Sequence, residues 1–159
     1  MEFVIDIAYF EENTVIDTDF DSNKAYNHMI DAQEIQLREL LGKDLYNKVQ
    51  LWLANTPAPT PTEQGLIDCL KPFVLKATEL NFIPFLNSPV TAKGTMDRNG
   101  DYTNRTNDTN TGLILDNVRA KVEYYAEICR DYIHDNIIDF PDWKCEDGSQ
   151  DFYSTIYGV

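Results

Sequence analysis

Apolar residues recur every three or four positions along most of this chain, a spacing that predicts α-helices. The first is expected over about 23–41, with Ser22 as N-cap and Tyr26, Met29, Ile30, Leu37, Leu40 and Leu41 as its stripe. Gln33 falls inside that stripe, a polar group to be satisfied in the core or at a subunit contact. Gly42 sits where a helix must stop, and a left-handed residue there needs no side chain. Leu45, Val49, Trp52 and Leu53 open a second stripe over about 43–54. Three prolines between Asn55 and Thr62 then impose an extended loop.

A third helix is expected from about Thr62 to Leu80–Ile83, with Leu66, Leu70, Phe73, Val74, Ala77 and Leu80 inward. Pro72 should kink it and Pro84 should end it. The last helix is the longest, about Thr111–Ile138. Val118, Val122, Tyr125, Cys129, Tyr132 and Ile133 keep a period of 3.6, and such a helix is about 40 Å long. Before the first helix the pattern changes. Phe3, Ile5 and Ile7 alternate with Val4 and Asp6, and Val15-Ile16 follows, so residues 1–20 read as extended. Between the last two helices, 87–110 is polar, and Asn99-Gly100 signals a hairpin with arms at Thr91–Met96 and Asp101–Arg105. The expected fold is all-α: a four-helix bundle with a kinked third helix, a polar hairpin or loop insertion and extended terminal arms. The divisions are an acidic arm (1–21), a helical domain (22–138, insertion 87–110) and a tail (139–159).

Charge sharpens the picture at the ends. The net charge is −14, and residues 1–21 hold seven acids and no base. Residues 131–151 hold seven acids and only Lys144, so the middle is close to neutral. Both ends are also aromatic: Phe3, Tyr9, Phe10 and Phe20 at one, Phe140, Trp143, Phe152, Tyr153 and Tyr157 at the other. Disordered acidic tails are poor in aromatics. Acidic segments studded with them suit docking, on a partner or back on the domain. The acidic start lacks the apolar stretch of a secretory signal, and no run reaches the length of a membrane span.

The search for chemistry points away from catalysis. Asp97-Arg-Asn-Gly-Asp-Tyr has its glycine fourth rather than sixth, the wrong spacing for a calcium loop. His28 and His134 belong to no metal-ligand pattern. Cys69, Cys129 and Cys145 are far apart, and the first two fall on helix stripes, where a thiol acts as a small hydrophobe. No serine sits in a nucleophile elbow and no glycine-rich phosphate loop occurs. Thirteen basic residues against 27 acids, with no basic run, cannot supply ordinary DNA affinity. Neither an enzyme nor a cofactor or metal site is expected.

The stretch Asp31–Val49, DAQEIQLRELLGKDLYNKV, resembles the small helical head–tail connector (neck or ring adaptor) proteins of tailed phages, especially those of crAss-like Bacteroides phages. Asp21–Ala25 before it, Val90–Gly94 before the last helix and the Phe140-Pro-Asp-Trp143 ending are similar in outline. The resemblance implies a virion structural protein that forms a ring, commonly dodecameric, beneath the portal. Such a ring extends the DNA channel, which DNA crosses without specific binding, and offers a platform to the next neck or tail protein. It implies portal or neighbour contacts through the C-terminal part, with Phe140, Trp143, Phe152, Tyr153, Ile156 and Tyr157 as anchors. It places the inserted loop, with Lys93, Asp97, Arg98, Asp101 and Arg105, at the lumen or a neighbour. The alternative is a small acidic phage protein that mimics DNA and inhibits a DNA-binding enzyme. Clustering of the acids at the two ends argues against it.

Overall fold

The structure is a computed structural model that describes residues 2–14, 16, 22–87, 90–91, 94–95 and 108–143. It is all-α apart from one minimal hairpin. Helix α1 is Ile7–Asn13, α2 Ser22–Asp31, α3 Arg38–Leu53, α4 Pro61–Asn87 and α5 Asp108–Asp135. A π-helical segment, Ala32–Leu37, joins α2 to α3.

The N-terminal region departs from the extended arm expected of it. Asp6 caps α1, its carboxylate accepting from the Tyr9 amide at 2.7 Å, and Val4, Ile5 and Phe10 are buried. The alternation of Phe3, Ile5 and Ile7 does not produce a strand, and no strand pairs with it among the described residues. Burial of Val4 and Ile5 against the helices takes precedence over the period of two.

Gly42 has φ 71° and ψ 162°, inside what is otherwise one helix, α3. The positive φ is as expected, but the residue is extended rather than left-handed helical. The break re-aims the chain. In a straight helix, Leu37, Leu40 and Leu41 would point about 100° away from Leu45, Tyr46, Val49 and Trp52. All seven are buried, so the two stripes reach one core only because the helix is broken between them. Helix α3 ends in a Schellman motif. Asn55 takes φ 52°, its N–H donates to the Trp52 carbonyl, and the Thr56 N–H to the Leu51 carbonyl, each at 2.9 Å.

Helix α4 opens with a capping box. Thr60 Oγ1 accepts from the Glu63 amide, Glu63 Oε2 accepts from the Thr60 amide at 2.6 Å, and Pro61 takes the first helical position. The helix continues through Pro72, the site of the expected kink, and through Pro84, its expected end. Each proline removes one backbone bond, to the carbonyls of Asp68 and Leu80. Packing outweighs that loss: Phe73–Leu80 is buried on every side, and Phe82 and Ile83 extend the burial to Pro84. Helix α4 is thus the central helix, and α5 packs along it through Val118, Val122, Ala126, Cys129 and Ile133. At Gly65 the two helices come close enough that a Cβ would lie 2.1 Å from Tyr132 Oη.

The described pairing falls on the segment expected as the first hairpin arm. β1 (Val90–Thr91) pairs antiparallel with β2 (Gly94–Thr95), so Thr91–Met96 is not a single arm. Asn99-Gly100 and the arm Asp101–Arg105 lie outside the described residues. Lys93, Asp97, Arg98, Asp101 and Arg105 lie outside the described residues.

Candidate interaction surface

Three features outside ordinary helix packing stand out: the seat of the N-terminal segment, the closure made by residues 140–143, and the outer face of α5.

The N-terminal segment is held by side-chain amides. Gln33, fully buried in the π-helical segment, accepts from the Val4 N–H at 2.9 Å and donates through Nε2 to the Glu2 carbonyl. Gln50 on α3 accepts from the Glu2 N–H at 3.0 Å. Farther along, Thr14 Oγ1 donates to Glu79 Oε1 at 3.1 Å. Glu79 has no exposed surface, and Lys76 Nζ reaches both its carboxylate oxygens at 2.9 Å. The buried charges are therefore paired, as burial requires. Gln36, one turn from Gln33, exchanges two 3.0 Å bonds with Asn81 of α4. The π-helical turn places Gln33 toward the N-terminal segment and Gln36 toward α4. Gln33 is satisfied within the chain's own core, one of the two roles its position in the stripe allowed.

Residues 140–143 close the other end. Phe140 is 1% exposed and packs against Trp52 and Tyr132, with ring centroids 6.3 and 6.4 Å away. Trp143 Nε1 donates to the Leu40 carbonyl at 3.5 Å, and Asp142 pairs with Lys48. Phe140 and Trp143, expected as partner anchors, are instead committed to the chain's own core. Phe152, Tyr153, Ile156 and Tyr157 lie outside the described residues.

The outer face of α5 remains. Leu113 and Tyr124 lie three turns apart on one meridian, opposite the Val118–Ile133 stripe, and are 64% and 59% exposed. Ile114 flanks them, and Ile138, just past the helix, is 92% exposed.

Burial pushes the Cys129 thiol up to about 12, and the thiol donates to the Cys69 carbonyl at 3.3 Å. Of the two described cysteines, Cys129 is buried in the core, and Cys69 is partly buried against it. Burial, then the bond from its hydroxyl to Glu34, raises the Tyr46 phenol to about 12. Burial lowers His28 against an opposing pull from Asp31; its ring lies 4.7 Å from Phe85 and 5.3 Å from Phe82. Among the described residues no group of three or more His, Cys, Asp or Glu could hold a metal ion. No described helix is long and apolar enough to cross a membrane.

Sequence reasoning missed Gln50, Lys76, Glu79 and Asn81. The fold shows an all-α protein with a central buried helix, α4, and both described ends packed against the helical core. The chain belongs to DUF6712, a family of unknown function, which matches residues 37–153. The match runs from the turn before Gly42 past the 140–143 closure. No curated protein and no solved structure matches the chain.

Proposed function

We propose that this protein is a structural component of a tailed-phage particle: a ring-forming head–tail connector beneath the portal that continues the DNA channel. The reading rests on the resemblance of Asp31–Val49 to such connectors. The observation that carries it is the outer face of α5. A 28-residue helix gives one face to the core and leaves Leu113, Ile114 and Tyr124 on the other, a lateral surface for a neighbouring copy. The break at Gly42, inside the resembling stretch, supports the helix–stop–helix element that the resemblance implies.

In this reading the four helical runs 22–41, 43–53, α4 and α5 form a four-helix bundle that packs side by side into a dodecamer. With Phe140 and Trp143 folded inward, portal docking falls to Phe152, Tyr153, Ile156 and Tyr157. The insertion residues Lys93, Asp97, Arg98, Asp101 and Arg105 face the lumen or a neighbour. The role is mechanical, without catalysis or a cofactor, and the acidic surface lets DNA slide. Cryo-electron microscopy of the particle tests it: a closed ring of this chain next to the portal is expected. Isolated single copies, or absence from the particle, would refute it.

A further inference from the structure

The α4–α5 seam brings together two thiols that lie 60 residues apart in the chain. The seam is antiparallel, since its contacts advance along α4 as they retreat along α5, and two of them fix its register. At the first, Tyr132 Oη donates to the Thr62 carbonyl at 2.9 Å and passes so close to Gly65 that a Cβ there would collide with it. One turn onward along α4 from Gly65, and one turn back along α5 from Tyr132, stand Cys69 and Cys129. Here Cys129 Sγ lies 3.3 Å from the Cys69 carbonyl oxygen, so the buried sulfur rests on the backbone of the residue that carries the second thiol. Packed helix axes are about 8–10 Å apart, and each Cα lies about 2.3 Å from its axis. Cα atoms that face each other across such a seam are therefore about 3–5 Å apart, and those that flank it are farther. That range includes the roughly 4.4–6.8 Å that a disulfide spans. The two thiols differ in access: Cys129 has no exposed surface, whereas Cys69 is partly exposed.

We propose that Cys69 and Cys129 are a redox pair, in which Cys69 meets the oxidant and Cys129 resolves the product into a disulfide that staples α4 to α5. The oxidant is a low-molecular-weight disulfide, such as oxidised glutathione. The Cys69 sulfur attacks one glutathione sulfur, the glutathione S–S bond breaks, and the first reduced glutathione leaves with the Cys69 proton. The Cys129 sulfur then attacks the Cys69 sulfur of this mixed disulfide, and the second reduced glutathione leaves with the Cys129 proton. Two protein thiols are oxidised, and one glutathione disulfide is reduced to two thiols. Burial raises both protein thiols, so neither is a fast nucleophile and the exchange is slow in neutral solution. The chain folds with both thiols free in a reducing compartment and is stapled after transfer to an oxidising one. The pairing stands on the seam alone and is independent of the connector reading.

The test is oxidation of the native full chain by oxidised glutathione at mildly alkaline pH, quenched with acid and mapped by mass spectrometry without reduction. The expected product is a cross-linked pair of peptides joined at Cys69 and Cys129. The intact chain should be lighter by two hydrogen atoms and its urea midpoint raised, and dithiothreitol should reverse both changes. Cys145→Ser should leave these results unchanged, and Cys129→Ala should stop the reaction at the mixed disulfide of Cys69 with glutathione. The parent chain carries the test even where a variant fails to fold. A glutathione adduct at Cys69 that persists in the native parent overturns the proposal. So does a bond from either thiol to Cys145 in its place, or both thiols still free after prolonged oxidation. A bond between Cys69 and Cys129 that forms only in urea, or that lowers the urea midpoint, overturns it as well.

Discussion

Replacing Gly42 with alanine isolates a single physical term. At φ 71° and ψ 162° the residue occupies a region that L-amino acids rarely enter. A Cβ built there meets nothing within 4 Å, so no steric contact adds to or hides the backbone cost. Holding an L-residue in such a region costs about 1–3 kcal/mol. Alanine also restricts the unfolded chain, which returns about 0.4–1 kcal/mol. The expected net loss is about 0.5–2 kcal/mol, or about 2–6 °C in melting temperature for a domain of this size. Equilibrium urea unfolding is the assay, with a lower midpoint and an unchanged slope expected. D-alanine at the same position, introduced by semisynthesis, should be neutral or stabilising, because positive φ is natural to it. An L-alanine variant as stable as the parent would refute the reasoning: the chain would then tolerate a continuous helix, and the 100° offset between the two stripes would not need the break.

Gly65→Ala should destabilise by about 1–3 kcal/mol through overpacking, less about 1 kcal/mol of gained helix propensity, because Tyr132 must give up its 2.9 Å bond to the Thr62 carbonyl. Thermal melts of Gly65→Ala with and without Tyr132→Phe check this, and part of the loss should disappear when the hydroxyl is gone. Asn81→Leu leaves the Gln36 amide without its 3.0 Å partner and should cost about 1–3 kcal/mol, whereas the double Gln36→Leu/Asn81→Leu change should recover much of it. Cys129 and Tyr46 both release their protons more readily in the unfolded chain. Their contributions are full below pH 9 and 10 respectively and are lost as pH rises through about 12, so alkaline denaturant midpoints should fall over that window. His28 has the opposite sense. Its folded value is depressed, so its contribution is present above 6.5 and is lost as pH falls through that lower value; an NMR titration midpoint at or above 6.5 would contradict the burial behind it.

Helix existence was legible because it rests on repeated burial. The Val118–Ile133 stripe, the turn at Gly42 and the core cysteines follow from spacing and residue size alone. What escaped depended on partners distant in sequence. The π-helical turn adds a residue within 32–37, where Gln33 and Gln36 read as interruptions of a stripe rather than as two inward amides. Gln50 and Glu79 read as ordinary polar residues until Glu2 and Thr14 arrive from 48 and 65 residues away. Pro84 stops a helix in isolation, and only the burial of Phe82 and Ile83 carries α4 past it. Two local signals were there to be read: Thr60-Pro-Thr-Glu63 is a capping box, and Asn55 suits a left-handed helix end. Composition alone cannot distinguish Phe140, which fills a hole in its own core, from a residue that waits for a partner.

The two ends, alike in acid and aromatic content, are attached by different means. Phe140 enters the core as an apolar side chain among Trp52 and Tyr132, and burying a group of that kind is worth about 1.5–3 kcal/mol. It is assisted by a surface ion pair, Lys48 with Asp142, of the kind that contributes little. The N-terminal segment also buries Val4, Ile5 and Phe10, but its register is set by hydrogen bonds to Gln33 and Gln50. A buried amide left without partners costs about 1–3 kcal/mol, so the vacant seat is costlier than the filled one. Buried polar groups of this kind fix a register more than they add stability. The C-terminal closure is therefore a fixed part of the fold. The N-terminal seat instead selects the main-chain register of the segment that fills it, through the amides of Gln33 and Gln50.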